Sequence, residues 1–183
     1  MASDRQSNLS YRLMLVLLAA ADTFAPYVDQ RVQTFGLRPD MTVVDYGCGP
    51  GRYATRFASL VGESGRVYAV DIHEIAIELV TKKVQRLGLH NLEPVLARGY
   101  TSGLPGGLAD MVFAIDMFHG VHDPTAFLAE LRRIAKPDAI LIMDDGDQPR
   151  RVTREKVVAS GCWEIIEETR DHLKCKVVLE GKL

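Results

Sequence analysis

The sequence is poor in cysteine, and the spacing of its cysteines is not that of a metal site. Cys48, Cys162 and Cys175 are the only three in 183 residues, and no two of them form a CxxC pair. An odd number of cysteines without such pairs argues against both a disulfide framework and a zinc site. We therefore expect no bound metal and a reducing, cytoplasmic setting.

Long hydrophobic runs are also missing. One apolar segment, residues 13–21 (LMLVLLAAA), follows Arg5 and Arg12 and resembles the core of a signal peptide. A membrane-spanning helix needs about 20 such residues, so this segment is too short to cross a bilayer. We interpret it as a buried helix and keep the signal peptide as the alternative.

No charge of one sign dominates the sequence. Lysine and arginine total 22 against 24 acidic residues, which gives a net charge of −2 at pH 7. Proteins that bind nucleic acid usually carry a basic surface, so this balance predicts no nucleic-acid partner and favours a small molecule. A local basic patch around Arg150, Arg151 and Arg154 stays open. The hydrophobic share of 47% is that of an ordinary globular chain.

Short β-rich runs alternate with amphipathic stretches from residue 41 onward. We predict strands at 42–45, 66–70, 92–97, 111–115 and 139–143, and helices at 53–60, 74–87 and 125–134. This alternation is the signature of βαβ units. The predicted fold is therefore α/β, with a Rossmann-like doubly wound, mostly parallel sheet.

The two ends of the chain differ from this pattern. Two strand-like runs near the C-terminus, WEIIEE and KCKVVLE, are separated only by residues 169–172, too few for a crossover helix. We predict an antiparallel C-terminal hairpin here. The first 40 residues predict helices at 11–21 and 26–35. We accordingly divide the chain into an N-terminal helical cap, residues 1–36, and a ligand-binding domain, residues 37–183.

A glycine-rich loop, DYGCGPG from Asp45 to Gly51, follows the first predicted strand and leads into a helix. Glycines allow a tight turn and a close approach to a ligand, and the helix start offers free N–H donors. Asp71 ends the next strand, where a carboxylate can accept hydrogen bonds from both hydroxyls of a ribose. The loop and the acid together predict a nucleotide-like ligand.

Two other interpretations of this region stay open. The glycines could serve only a tight strand-to-helix turn, with Asp71 as the cap of the next helix. A dinucleotide site with the pattern G-x-G-x-x-G would need glycine at position 52, where the sequence has Arg52. The spacing in this chain is G-x-G-x-G.

The same runs resemble those of a known family, the class I S-adenosylmethionine-dependent methyltransferases. VVDYGCGPGRY is similar to the first motif of that family, and VYAVDI is similar to its second-strand motif. LADMVFAIDMFHGVHDPTAFLAELRRIAKPDAILIMDD resembles the fourth strand, fourth helix and fifth strand of the branch that includes the ubiquinone and menaquinone biosynthetic methyltransferases. The resemblance implies an enzyme with S-adenosyl-L-methionine as its cofactor.

The resemblance also implies which residues meet the cofactor, all of them at or soon after predicted strand ends: Asp45, Gly47, Cys48, Gly49, Gly51, Asp71, Ile72, Tyr100, Asp116 and Met117. The loop glycines would line the methionine part, with Asp45 orienting the loop or meeting the amino group. Asp71 would hold the ribose, and Ile72 would pack on the adenine. Asp116 and Met117 would lie beside the reactive methyl. The family's usual acid near the adenine amine is missing, so Tyr100 or a backbone group is expected there.

His119 is the candidate catalytic residue, because it follows the fourth predicted strand on the side where an acceptor would lie. A neutral imidazole there could take a proton from a hydroxyl or an acidic carbon, although a packing role is equally compatible with the sequence. Asp144, Asp145 and Asp147 form an acidic cluster after the fifth predicted strand. Carboxylates there could face a substrate amine or a metal, but we interpret this cluster as a solvated loop.

The expected function is methyl transfer to a small molecule. An Asn-Pro-Pro-Tyr-like run is typical of enzymes that methylate amino groups on bases and proteins. This sequence has no such run. The alternatives are a non-catalytic S-adenosylmethionine-binding partner subunit and an RNA or protein methyltransferase that needs a partner. We expect the N-terminal helices to cover the cofactor, to form a wall of the acceptor pocket and to offer a possible homodimer contact.

Overall fold

The computed structural model describes residues 27–179, in which one seven-stranded sheet has helices on both faces. The strands are β1 (Thr42–Tyr46), β2 (Arg66–Asp71), β3 (Leu92–Leu96), β4 (Ala109–Ala114), β5 (Ala135–Met143), β6 (Trp163–Glu168) and β7 (Leu173–Val177). The helices are α1 (Tyr27–Val32), α2 (Ala54–Val61), α3 (Glu74–Leu87), α4 (Pro124–Ile134) and α5 (Arg150–Ser160), and a 3-10 turn spans Phe118–Gly120.

The sheet has the order β3-β2-β1-β4-β5-β7-β6. Strands β1 to β5 pair in parallel, whereas β7 is antiparallel to both β5 and β6. The chain first winds outward from β1 to β3 and then crosses to the other side of β1 for β4 and β5. This confirms the doubly wound α/β fold and its antiparallel C-terminal hairpin. The strand order reverses between β1 and β4.

Each face of the sheet buries its own apolar core. On one face, α1, α2 and α3 cover a cluster that includes Phe35, Phe57 and Phe113, with the last two ring centroids 4.2 Å apart. On the other face, α4 and α5 cover a cluster around Phe127 and Trp163. Because both faces are covered, the inner strands are apolar along most of their length, as buried parallel strands usually are.

The five predicted strands and the helices at 53–60, 74–87 and 125–134 are confirmed, with small shifts at their ends. Strand β5 begins earlier than predicted, at Ala135, because this residue pairs with Ala109 at the start of β4. The described part of the predicted helix at 26–35 ends at Val32. Helix α5 was not predicted, because its sequence RRVTREKVVAS is strongly polar and buries only Thr153 and Val157.

The two edge strands of the sheet carry residues that discourage further pairing. Strand β3 contains Pro94, which has no backbone N–H to offer. Strand β6 contains Glu164, Glu167 and Glu168, and its neighbour β7 places Lys176 3.1 Å from the Glu164 carboxylate. Both edges thus carry features that limit strand addition in natural sheets.

The predicted helix at 11–21, and with it most of the proposed cap and the homodimer contact, lies outside the described residues. Among residues 27–179, no helix is long and apolar enough to cross a membrane. Helix α1 belongs to the same apolar cluster as α2, through Val28 and Val32. The division into residues 1–36 and 37–183 stays a prediction.

Candidate active site

The carboxyl ends of four neighbouring strands lie side by side, and a polar residue or a glycine follows each of them. Asp71 ends β2, Gly47 follows β1, Asp116 comes just after β4, and Asp144 directly follows β5. In doubly wound sheets, ligands bind outside these ends, where the strand order reverses. We call this row of residues the carboxyl edge.

The glycine loop crosses the carboxyl edge between β1 and α2. The backbone N–H groups of Gly47 and Cys48 donate to the Val70 carbonyl of β2, at 2.8 and 3.0 Å. Gly47 has φ 77°, and a Cβ placed there would lie 2.7 Å from Met117 Cγ. Position 47 therefore needs glycine both for its left-handed backbone and for the close approach of the β4 end.

Asp71 ties the glycine loop to the start of α3. Its Oδ2 accepts a hydrogen bond from Gly49 N at 2.9 Å, and its Oδ1 accepts one from His73 N at 2.8 Å. The N-cap of α3 is His73, whose Nδ1 accepts from Ile75 N. Burial raises the pKa of Asp71, while the hydrogen bonds from His73 and Gly49 oppose this rise. Each carboxylate oxygen has a further lone pair that can accept from a ligand hydroxyl.

Asp45 lies in β1 beneath the loop and is only 2% exposed. Its Oδ2 has no hydrogen-bond partner among the described residues. Burial, together with the negative charge of Asp71, raises the pKa of Asp45 to about 7, although a hydrogen bond from the Ala54 backbone lowers it. A buried carboxylate oxygen without a partner is costly, so this atom suits a ligand that brings a donor.

Tyr100, in the segment after β3, is held by hydrogen bonds between the end of β1 and the start of α4. Its carbonyl accepts from the Tyr46 hydroxyl at 2.6 Å, and its own hydroxyl accepts from Asp123 N at 3.0 Å. Asp123 is also the N-cap of α4, as its Oδ1 accepts from Ala126 N. Tyr100 thus joins the segment after β3 to the start of α4. Ile72, half-buried, directly follows Asp71.

Asp116 and Asp144 are joined by a network that reaches back to α1. Asp116 has an unusual left-handed backbone, φ 58°, and its N–H donates to Asp144 Oδ1 at 2.9 Å. Asp144 Oδ2 accepts from Arg31 Nη2 at 2.8 Å. Arg31 also donates to the Tyr53 hydroxyl at 2.9 Å and to the Asp171 carbonyl at 2.6 Å. One buried guanidinium therefore links α1 to the start of α2, to the end of β5 and to the segment before β7.

This network corrects the interpretation of Asp144, Asp145 and Asp147 as a solvated loop. Asp144 is only 5% exposed and is held by Arg31, and Asp145 pairs with Arg150 at 2.7 Å. Only Asp147 is freely exposed. Arg31 was not predicted as a site residue, because nothing local distinguishes it from other helix arginines and its acidic partner lies 113 positions away.

His119 lies in the 3-10 turn after β4 and packs over the loop after β5. A Cβ on Gly146 would lie 2.0 Å from His119 Nδ1, so the imidazole occupies the space that this glycine leaves. Its Nε2 is 3.8 Å from Asp147 Oδ2. The packing is direct, and the role of His119 as a base stays a prediction. Among residues 27–179, no three His, Cys, Asp or Glu side chains are grouped to hold a metal ion.

Comparisons with known proteins identify the family. Residues 37–178 match the methyltransferase domain family. The chain is 27% identical over 127 residues to the ubiquinone/menaquinone biosynthesis C-methyltransferase UbiE of Shewanella piezotolerans, covering 69% of this chain and 51% of that protein. The crystal structure of an S-adenosylmethionine-dependent methyltransferase from Aquifex aeolicus has 29% identity and a TM-score of 0.76, over 82% of this chain and 89% of the other.

This chain belongs to the class I S-adenosylmethionine-dependent methyltransferases. It is also 30% identical over 130 residues to a 37.1 kDa protein of transposon TN4556 from Streptomyces fradiae, covering 71% of this chain. The chain spans 37% of that relative and 51% of the Shewanella relative. The cofactor of the methyltransferase is S-adenosyl-L-methionine, and the orphaned Asp45 oxygen, the close-packed Gly47 and the loop-bound Asp71 fit a ligand of this kind.

Proposed function

We propose that this chain transfers the methyl group of S-adenosyl-L-methionine to a small-molecule acceptor at the carboxyl edge. The observation that carries the proposal is the close packing at the point where strand order reverses. There the glycine loop is bonded to β2, is held by Asp71 and lies against Met117 after β4. Such an arrangement brings a cofactor site and an acceptor site together at one edge of the sheet.

The cofactor side of the site follows from the loop contacts. The methionine part would lie along Gly47, Gly49 and Gly51, with Cys48 filling the buried side of the loop. Its ammonium group would meet the unpartnered Asp45 oxygen, since a positive partner favours the charged form of a buried carboxylate. The free lone pairs of Asp71 would accept the ribose hydroxyls.

The adenine would lie against Ile72 and Tyr100. The Tyr100 hydroxyl is already bonded to the start of α4, so its ring is held in a fixed orientation. An adenine there would be bound mainly by packing and by backbone groups of the segment after β3. This explains how the site works without the family's usual acid.

The acceptor side begins at Asp116 and Met117. When bound, the cofactor supplies a methyl group already activated by its sulfonium charge. The chain then has to align the acceptor with that methyl and exclude water. Met117 contributes an apolar surface beside the loop, and Asp116 contributes a half-exposed carboxyl group. His119, near the loop after β5, is a second candidate to receive a proton.

The charge distribution supports a small acceptor over a nucleic acid. The three arginines that begin α5 are paired with carboxylates: Arg150 with Asp145, Arg151 with Glu155, and Arg154 with Glu168. Their positive charge is thus compensated locally, which weakens a basic-patch interpretation. The name of the Shewanella relative, a C-methyltransferase of ubiquinone and menaquinone biosynthesis, also supports a small acceptor.

Calorimetry tests the cofactor part of this proposal. We expect S-adenosylmethionine and its demethylated product, S-adenosylhomocysteine, to bind, and NAD not to bind. Asp71→Ala should weaken product binding by roughly 1.5–3 kcal/mol, because the ribose hydroxyls lose a charged acceptor. Asp138→Ala, at an exposed carboxylate near the opposite edge of the sheet, is the matched control and should bind normally. Binding of NAD alone would refute the proposal.

Transfer of label from methyl-labelled S-adenosylmethionine tests the acceptor. The protein is incubated separately with a panel of phenols, hydroxy acids, amines and thiols, with total RNA and with a protein extract. Label in the small-molecule fraction supports the proposal. Label only in RNA or protein favours a macromolecular acceptor, and binding without any transfer favours a non-catalytic subunit.

A further inference from the structure

The carboxyl groups of Asp116 and Asp144 lie beside the same guanidinium at the acceptor side of the site, since Arg31 nitrogens lie 3.8 Å from Asp116 Oδ1 and 2.8 Å from Asp144 Oδ2. The Asp116 N–H also donates to Asp144 Oδ1 at 2.9 Å. Two carboxylates this close repel each other when both are charged, so the pair favours a state that holds one proton. Their environments differ, since the Asp116 side chain is 52% exposed and that of Asp144 only 7%. The pair therefore joins one buried acid to one that opens toward the site.

The surroundings decide which member keeps the negative charge. Asp144 accepts from three N–H donors, of Arg31 (2.8 Å), Asp116 (2.9 Å) and Gly146 (3.2 Å). Asp116 is less well served, because the guanidinium nitrogens of Arg31 and Arg52 lie 3.8 and 4.0 Å from its oxygens, longer than hydrogen bonds. Asp144 is thus the better hydrogen-bonded carboxyl group of the two, and Asp116 is the one that takes up a proton.

The titration of Asp116 agrees with this assignment. Partial burial and the negative charge of Asp144 raise the pKa of Asp116 to about 6, and the positive charges of Arg31 and Arg52 oppose this rise. The ionisable groups that face Asp116 come from four elements: Arg31 of α1, Asp45 of β1, Arg52 and Tyr53 at the start of α2, and Asp144 after β5.

The pair is also close to the proposed position of the reactive sulfur. Met117, the next residue, touches the glycine loop at Gly47, and Arg52, which approaches the Asp116 carboxyl, directly follows Gly51. A sulfonium held along this loop would bring a positive charge near Asp116. An opposite charge within about 4–6 Å lowers the pKa of a carboxyl group by about 1–3 pH units.

We propose that Asp116 and Asp144 form a proton switch that responds to the charge on the cofactor sulfur. At about pH 6 and below, Asp116 keeps this proton in the free protein and with the neutral-sulfur product, and it releases the proton to solvent when the sulfonium binds. The O–H bond of Asp116 breaks, its electron pair stays on the carboxylate, and the proton passes to water. This inference rests on the proposed cofactor site.

The switch has a direct consequence for methyl transfer. Near pH 6, Asp116 carries a full negative charge only while the methyl donor is bound, and its half-exposed carboxylate faces the open side of the site. During transfer, the acceptor oxygen or nitrogen forms a bond to the methyl carbon, and the sulfur keeps the electrons of the broken sulfur–methyl bond. The acceptor then loses its O–H or N–H proton, which the Asp116 carboxylate can take. That uptake restores the one-proton state of the pair.

Proton-linked calorimetry tests the switch without any acceptor. S-adenosylmethionine and S-adenosylhomocysteine are titrated at pH 6 and pH 8 in buffers of different ionisation enthalpy, so that released protons are counted. The two ligands share their amino and carboxyl groups, so the difference between them isolates the sulfur charge. At pH 6 we expect S-adenosylmethionine to release roughly 0.4–0.5 proton more than the product does. At pH 8 the difference should vanish.

Asp116→Asn removes the titrating group and keeps a residue type that tolerates a left-handed backbone. It should abolish the difference in proton release between the two ligands. Asp138→Asn should retain the difference. Equal proton release by both ligands in the unaltered protein overturns the switch and leaves the proposed function intact. Failure of both ligands to bind overturns the proposed function itself.

Discussion

The β2–β1 side and the β4–β5 side of the carboxyl edge are held together by different kinds of contact. On the first side, Gly47, Cys48 and Gly49 bond to Val70 and Asp71 over short stretches of chain, and the contacts use backbone N–H groups. On the second side, Arg31 reaches Asp144 across 113 positions, through side chains. The β2–β1 side, where we propose that the cofactor binds, therefore depends on local backbone geometry. The β4–β5 side, where we propose that the acceptor binds, depends on the docking of α1. We call these the cofactor side and the acceptor side.

Breaking the side-chain network should have the largest effect. Arg31→Met leaves the buried Asp144 carboxylate without its charged partner, and loss of one member of a buried pair costs about 3–5 kcal/mol. Urea denaturation at pH 7 measures this loss in the free energy of unfolding. A loss below about 1 kcal/mol would mean that α1 contributes little to the acceptor side.

The backbone side is best tested by comparing two glycines that both have a left-handed φ angle. Gly88→Ala, at φ 65° with nothing within 4 Å of a new Cβ, should cost only the left-handed strain of about 1–2 kcal/mol. Gly47→Ala, at φ 77°, adds the clash with Met117 and should cost about 1–3 kcal/mol more. It should also abolish product binding in calorimetry. Equal costs at the two positions would contradict the close approach of β4.

Asp45 gives the cofactor side its own dependence on pH. Its folded pKa of about 7 is above the ordinary value of 3.8, so the folded protein binds the extra proton between these values. This contribution to stability is full at low pH and is lost as pH rises through about 7, by about 1–3 kcal/mol between pH 5 and pH 8. Asp45→Asn should flatten that slope in melting curves, and Asp138→Asn should not. An unchanged slope in Asp45→Asn would refute the raised pKa.

The smallest effect is expected away from both sides. Arg151 and Glu155 form an exposed pair on α5, 2.7 Å apart, and such pairs contribute less than about 1 kcal/mol. Arg151→Ala should therefore change the urea midpoint very little. If Arg151→Ala lowered the free energy of unfolding as much as Arg31→Met does, the difference in burial between the two arginines would not explain their contributions to stability.

The same contrast explains how far the sequence predicts this molecule. The strands, the glycine loop and Asp71 follow from residues close together in the chain, and their geometry is set by local turns and hydrogen bonds. The Arg31–Asp144 pair could not be predicted, because its members become neighbours only after α1 packs on the sheet. Helix α5 was missed for a related reason, as its polar sequence has few core residues. The roles of the cofactor residues and of His119 stay predictions.

The edges of the sheet bear on how the protein behaves at high concentration. Pro94 interrupts one outer strand, and three glutamates line the other, next to the half-exposed Ile166. At neutral pH these glutamates are paired with Lys176, Lys174 and Arg154, and a charged edge of this kind is costly to bury against another strand. In acid, where carboxylates become neutral, the β6 edge loses these ion pairs while Pro94 keeps its effect. Acid-induced association would therefore begin at β6, and colloidal stability would depend on this one strand.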